Sequence, residues 1–206
     1  DVYEMGMSHL GLQILYAVLN RQPWIAAERV YAPWPDMERY LRQDSLPLTS
    51  LETGTALSTF DLVGFSLPYE LSFTNVLAML DLGRIPLRRR ERRQGDPIVL
   101  AGGPCAFNPA PMSDFVDAFA IGEGEEIVLE IAQVVRDAKE QGWPRERLLA
   151  GLAAVEGLYV PAFHTGEERI KKRLVADLDG TLTLTASLTP LMKTIHDRIT
   201  LECARG

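Results

Sequence analysis

Ile98-Val99-Leu100-Ala101-Gly102-Gly103-Pro104 and Ala118-Phe119-Ala120-Ile121-Gly122-Glu123-Gly124-Glu125 decide the fold. Each stretch is a short, uninterrupted apolar run that stops at glycines. A run that is apolar at every position belongs to a strand buried on both faces, as in a parallel sheet. After the second run an amphipathic helix begins. It carries Ile127, Val128, Ile131, Val134, Val135 and Ala138 on one face and ends at Gly142. Working outward, Leu62-Val63-Gly64-Phe65-Ser66 is a third buried strand that breaks at Pro68, and a helix follows over 70–82, closed by Gly83. Upstream, Ser8 is the expected N-cap of a helix built on Leu10, Ile14, Leu15 and Val18, and residues 28–32 are expected as a strand. Strands alternating with helices predict an α/β fold with a doubly wound, mostly parallel sheet. Strands 62–66, 98–101 and 118–121 are expected to be neighbours with their carboxyl ends on one edge, where ligands bind in open α/β sheets. Ser66, Tyr69, Gly102, Gly103, Phe107, Gly122, Glu123 and Gly124 are the candidate ligand-binding residues there. Ordinary strand-to-helix turns without a ligand are the alternative.

The chain has 206 residues, 47% hydrophobic and 24% charged, enough for one sizeable α/β domain with an appendage. The net charge of -7 opposes broad nucleic-acid binding. No apolar stretch is long enough to span a bilayer. Two cysteines, Cys105 and Cys203, make no disulfide framework, so a reducing, cytoplasmic compartment is expected. Asp1-Val2-Tyr3 reads as the tail of a strand. A helix is expected from Pro144 to about Ala154. Past Gly157 the pattern changes: 158–160, 170–177 and 199–203 read as strands with irregular connections. A boundary is placed at 155, with a β-rich connector over 156–206.

The ordered motifs Ser8-His9-Leu10-Gly11-Leu12, Gly64-Phe65-Ser66-Leu67-Pro68-Tyr69-Glu70, Gly102-Gly103-Pro104-Cys105-Ala106-Phe107-Asn108-Pro109, Ile121-Gly122-Glu123-Gly124-Glu125-Glu126, His196-Asp197-Arg198 and Glu202-Cys203-Ala204-Arg205-Gly206 support a resemblance. The chain resembles the N-terminal part of a cobalamin-binding-type radical S-adenosylmethionine protein, of the bacterial subgroup labelled iron-sulfur oxidoreductase. The resemblance implies a Rossmann-like cobalamin-binding domain over 1–155. It implies a connector leading to a catalytic barrel that opens with a Cys-x3-Cys-x2-Cys loop and begins just after Gly206. A [4Fe-4S] cluster and S-adenosylmethionine belong to that longer parent, and this chain's expected partner is its own barrel. Cobalamin is the expected ligand of the domain itself, with Tyr69 covering the lower face of the corrin. The histidine-ligated form needs Asp-x-His-x-x-Gly, whereas here Met7 stands in the aspartate position, so binding without a histidine ligand is expected.

Other residues carry weaker signals. His9 is a cobalt ligand in one reading and a helix-start cap in the other. Glu123 and Glu125 at a helix start already satisfy the dipole and repel phosphate, which favours a ligand offering hydroxyl or amide donors. A flavodoxin-like nucleotide domain is disfavoured because no phosphate-binding glycine loop follows the first strand. Arg88-Arg89-Arg90-Glu91-Arg92-Arg93 is either a solvated loop or a contact for RNA or an acidic protein. That contact defines a rival function, a docking domain without cofactor. His164 reads as a surface residue. His196-Asp197 is either a hairpin turn or a support for the loop beyond. No residue of this chain is expected to be catalytic or to ligate a metal.

Overall fold

The computed structural model describes residues 1–165, 167–177, 188–196 and 200. Among the described residues four strands form one sheet: β1 (Leu62–Ser66), β2 (Ile98–Gly102), β3 (Ala118–Ala120) and β4 (Leu158–Tyr159), in that spatial order. The first three are parallel, in the registers Leu62↔Ile98 and Leu100↔Ala118, and β4 runs antiparallel to β3. The expected α/β, mostly parallel architecture is therefore present, and the carboxyl ends of β1, β2 and β3 share one edge.

Why the runs are apolar throughout follows from the two faces. On one side Val63, Val99, Ala101 and Phe119 pack with Val76, Met79 and Leu80 of the helix over Phe73–Leu82, and with Leu57, Met112 and Val116. On the other side Ile98, Leu100 and Ala118 pack with Ile127 and Ile131 of the helix over Gly124–Glu140 and Leu152 of the helix over Arg145–Ala153. Three further helices lie upstream, over Tyr3–Gly6, Leu10–Asn20 and Pro35–Gln43. Among the described residues the six α-helices are, in chain order, α1 (Tyr3–Gly6), α2 (Leu10–Asn20), α3 (Pro35–Gln43), α4 (Phe73–Leu82), α5 (Gly124–Glu140) and α6 (Arg145–Ala153). The β2–β3 crossover is made of two 3-10 turns around Pro104, Pro109 and Pro111 instead of a helix, because prolines with no N–H cannot sustain one. Gly142 ends α5 with φ +62, as its position after the last apolar residue predicts.

Several expectations are corrected. Val2 is still extended, at φ -72 and ψ 166, and the chain enters α1 at Tyr3, so the strand-like reading of 1–3 fails at Tyr3. Residues 28–32 are not in a strand. The N-cap of α2 is His9, not Ser8, whose hydroxyl donates to the Glu4 carbonyl at 3.0 Å. Residues 70–72 are a 3-10 turn before α4. Of 170–177 a single parallel bridge forms, between Gly122 and Arg173. Residues 199 and 201–203, with Asp197 and Cys203, lie outside the described residues. His164 is half-buried: its Nδ1 accepts from Val160 N–H at 2.8 Å and its ring stacks on Tyr159.

The arginine run is only partly solvated: Arg90, Glu91 and Arg93 are exposed, and the other three arginines are tied into the fold. Arg92 is fully buried and reaches Asp117 Oδ2 at 2.8 Å, while also donating to the carbonyls of Pro86, Leu87 and Phe115. Arg145 reaches the same Oδ2 at 3.0 Å and Val99 N–H donates to it at 2.8 Å. Arg89 donates to the Ser113 carbonyl and Arg88 pairs with Asp114. This knot sits at the amino ends of β2 and β3, opposite the edge that the glycines occupy.

Candidate functional site at the carboxyl edge of the sheet

Small residues at the strand ends and the gap under α2 together form a cavity of about 380 Å³. Ser66 follows from β1, Gly102 and Gly103 from β2, and Gly122 and Gly124 from the turn into α5; all five line it. Its walls are Leu12 and Leu15 of α2 and Ile127, Val128 and Ile131 of α5, with His9 and Glu125 at its polar parts. The other three candidates lie elsewhere. Tyr69 and Phe107 line a separate depression of about 410 Å³ with Pro68, Glu70 and Cys105. Glu123 lines neither; its carboxylate accepts from Val175 N–H.

The glycines differ in what requires them. Gly103 has φ +95, and a Cβ there would stand 3.2 Å from the backbone N and O of Leu67. Two strand-end loops pass each other at that point, tied by Leu67 N–H to the Gly102 carbonyl at 2.7 Å and Cys105 N–H to the Leu67 carbonyl at 3.0 Å. Gly122 has φ +111, and a Cβ there would overlap the Arg173 backbone. Arg173 N–H donates to the Ile121 carbonyl at 2.9 Å, and its own carbonyl accepts from Glu123 N–H at 3.1 Å. So Gly103 and Gly122 are explained by close approach of the protein's own backbone. Gly102 is different: a Cβ there would have Ala120 as its nearest neighbour, at 3.9 Å, so the protein does not demand glycine. The same holds for Gly64, where a Cβ would meet nothing within 4 Å.

His9 is a cap. Its Nδ1 accepts from Leu12 N–H at 3.2 Å, and burial pulls its pKa below the usual imidazole value, so the neutral acceptor form is favoured. Glu28 faces the same cavity, but hydrogen bonds from Ser50 and Thr53 hold its carboxyl below the usual range and keep it ionised. Burial, with Glu70 beside it, raises the Cys105 thiol above its usual value. Among the described residues no three His, Cys, Asp or Glu side chains stand together as metal ligands. The arrangement is a small-residue cradle with apolar walls, suited to holding a ligand by shape and backbone contact.

Sequence reasoning missed Arg173, whose partner glycine lies far away in sequence, and Gly64, which a strand pattern does not mark as open. It also missed the part of residues 26–30 in lining the cavity.

A [4Fe-4S] cluster of the kind that cleaves S-adenosylmethionine needs three clustered thiolates. The chain has two cysteines, so its residues do not fit that cluster. No helix among the described residues is long and apolar enough to cross a membrane. Comparison with curated proteins and with solved structures gave no match. The family model described as radical SAM proteins, N-terminal, matches residues 11–161, a span that runs from α2 to just past β4. The chain therefore belongs to the family of N-terminal domains of radical S-adenosylmethionine proteins.

Proposed function

We propose that this chain is the cobalamin-binding-type domain of a radical S-adenosylmethionine iron-sulfur oxidoreductase, with its domain boundary at 155 and a connector over 156–206. In that role it holds a corrinoid against the catalytic barrel of the longer, cytoplasmic parent protein. The observation that carries the reading is Gly102. It lies beside Ser66 at the carboxyl edge, in a cavity, where a Cβ would touch only Ala120, at the ordinary contact distance of 3.9 Å. Small residues there allow the flat edge of a corrin and its amide arms to approach the backbone. The engagement of His9 Nδ1 in capping α2 supports binding without a histidine below the cobalt. Tyr69 and Phe107, in the neighbouring depression, are left out of this cradle, and Glu123 contributes through the connector. When bound, the corrinoid would supply its own cobalt chemistry; the chain's residues would bind and orient it.

The test is titration of the chain with hydroxocobalamin, followed by absorbance. Bound cobalamin whose spectrum and affinity persist in His9→Ala is the expected result. No binding, or a large spectral change in that variant, overturns the reading. The rival, docking of RNA or a protein through residues 88–93, draws less support. Arg88, Arg89 and Arg92 already bond to the protein itself, and the net charge is -7.

A further inference from the structure

The depression that Tyr69 and Phe107 line shares no lining residue with the cavity under α2. Its two banks are the loops that leave β1 and β2. Pro68, Tyr69 and Glu70 stand on one, and Pro104, Cys105 and Phe107 on the other. Leu67 ties the loops together, donating to the Gly102 carbonyl at 2.7 Å and accepting from Cys105 N–H at 3.0 Å. Phe73, the first residue of α4, lines the depression while half-buried against the core. Prolines at 68, 104 and 111 fix φ along the rim, so the shape is set before any ligand arrives. Tyr69 is held too. Its carbonyl accepts from the Ser72 hydroxyl at 2.6 Å, and its own hydroxyl donates to the Asp1 carboxylate at 2.7 Å.

Three aromatic side chains thus line one concavity, and two of them remain in water: Tyr69 is 37% exposed and Phe107 56%. Among the described residues none of these three rings packs on another ring, so each keeps an unstacked face. An aromatic face carries the negative part of the ring's quadrupole. The fixed charge beside the rings has the same sign. Glu70 is exposed, and among the described residues no cation pairs with it. The sequence explains why: residues 43–83 and 94–135, which contain both banks and α4, hold no lysine, arginine or histidine. The Cys105 thiol, raised by burial and by Glu70, stays protonated, so the carboxylate is the charge of the site.

Aromatic faces beside a carboxylate attract a cation and repel an anion. An alkylated ammonium suits both features, because its methyl groups pack on the rings while its diffuse charge meets their faces. A bare metal ion does not suit them, since it needs several oxygen ligands and the lining offers one carboxylate. A volume of about 410 Å³ matches a free small molecule.

We propose that this depression binds a small organic cation of the alkylated ammonium class, with Tyr69, Phe73 and Phe107 about its charge and Glu70 as its counter-ion. The inference stands whether or not a corrinoid occupies the cavity under α2.

The test titrates the chain with choline chloride at constant ionic strength and follows backbone amides by NMR. Neohexyl alcohol, the neutral isostere with carbon in place of the ammonium nitrogen, is the parallel titrant. Choline shifts the amides of Glu70, Cys105 and Asn108 saturably, and the alcohol binds about tenfold more weakly. Glu70→Gln keeps the shape and removes the charge; Phe107→Leu keeps an apolar side chain and removes the ring. Each weakens choline about tenfold, and Glu70→Gln leaves the alcohol's affinity unchanged. Both side chains are exposed, and an amide spectrum unchanged away from the loops shows that the variants fold. Equal affinity for choline and the alcohol makes the depression merely apolar and overturns the proposal. So does the absence of a saturable choline shift at these amides, or choline affinity that survives both substitutions. A trimethyllysine peptide that binds more than about tenfold tighter than choline gives the site to a protein partner, which also refutes it.

Discussion

Removing the carboxylate of Asp117 tests whether a buried charge knot holds the sheet. Its side chain is 2% exposed, Arg92 is 0% exposed and Arg145 14%. One oxygen, Oδ2, takes three donors at 2.8, 2.8 and 3.0 Å. Asp117→Ala leaves two guanidinium groups without their counter-charge and Val99 N–H without an acceptor. Breaking a buried pair from one side costs about 3–5 kcal/mol, and an orphaned buried N–H about 1–3 kcal/mol. Arg92 keeps carbonyl acceptors at 2.6 to 3.0 Å, which soften its loss, so about 3–5 kcal/mol is expected in total. At about 2–4 °C per kcal/mol for a chain of this size, Tm falls by about 6–20 °C. The assay is urea unfolding followed by circular dichroism, with the midpoint reduced and the slope unchanged. The double variant Arg92→Met/Asp117→Leu should lose less than the sum of its two single variants, because the pair is removed whole. Breaking the exposed Arg136–Glu140 pair is the control and should cost no more than about 0.5 kcal/mol. A loss below about 1 kcal/mol for Asp117→Ala, within the range of an exposed pair, would refute the reasoning.

Phe119→Ala empties a fully buried site in β3 and should cost about 3–5 kcal/mol by the same unfolding measurement. Gly122→Ala, at φ +111 against Arg173, should free the connector and increase limited proteolysis within 167–177. Gly102→Ala should leave stability within about 0.5 kcal/mol, since nothing crowds the new methyl. The folded-state pKa of His9 is lowered by burial, so folding favours its neutral form. Its contribution is present above the unfolded value of about 6.5 and is lost as pH falls through the lower folded value. His9→Asn, which caps without titrating, should flatten that slope in urea melts run across the acidic range. Reconstitution of this chain with iron and sulfide should yield no 5′-deoxyadenosine from S-adenosylmethionine under dithionite, because two cysteines fall short of three thiolates.

β2 and β3 were legible because each is an apolar run that stops at glycine, a local pattern that two-sided burial explains, whereas β1, expected to be buried, is an edge strand whose Gly64 and Ser66 are exposed. The helix over Gly124–Glu140 was legible from its 3.6-residue period. What could not be read depends on distant partners. Residues 28–32 have strand composition, but a strand is a pairing, and their backbone bonds to other segments, Ala32 N–H to the Asp1 carbonyl and Leu51 N–H to the Arg29 carbonyl, go to two different partners and build no ladder. The arginine run looked solvated because Asp117, which buries Arg92, lies 25 residues away. At the site, the glycines marked the carboxyl edge, yet which of them face open space was hidden. That is decided by Leu67 at Gly103 and by Arg173 at Gly122, and neither is signalled locally. Tyr69 and Phe107 follow the right strands, but their loops turn them into the adjoining depression.

The position of the Asp117 knot has a mechanical consequence. It rivets the amino ends of β2 and β3, where Val99 both donates to the Asp117 carboxylate and accepts from its N–H at 2.9 Å. At the other end, loops meet through glycines and pairs of backbone bonds. A plate clamped along one margin bends at the opposite one, so thermal motion of this sheet collects where the strands end in Gly102 and Gly122. Stiffness and compliance are thereby separated by the length of a five-residue strand. The compliant margin can adjust to whatever rests on it without loosening the fold beneath.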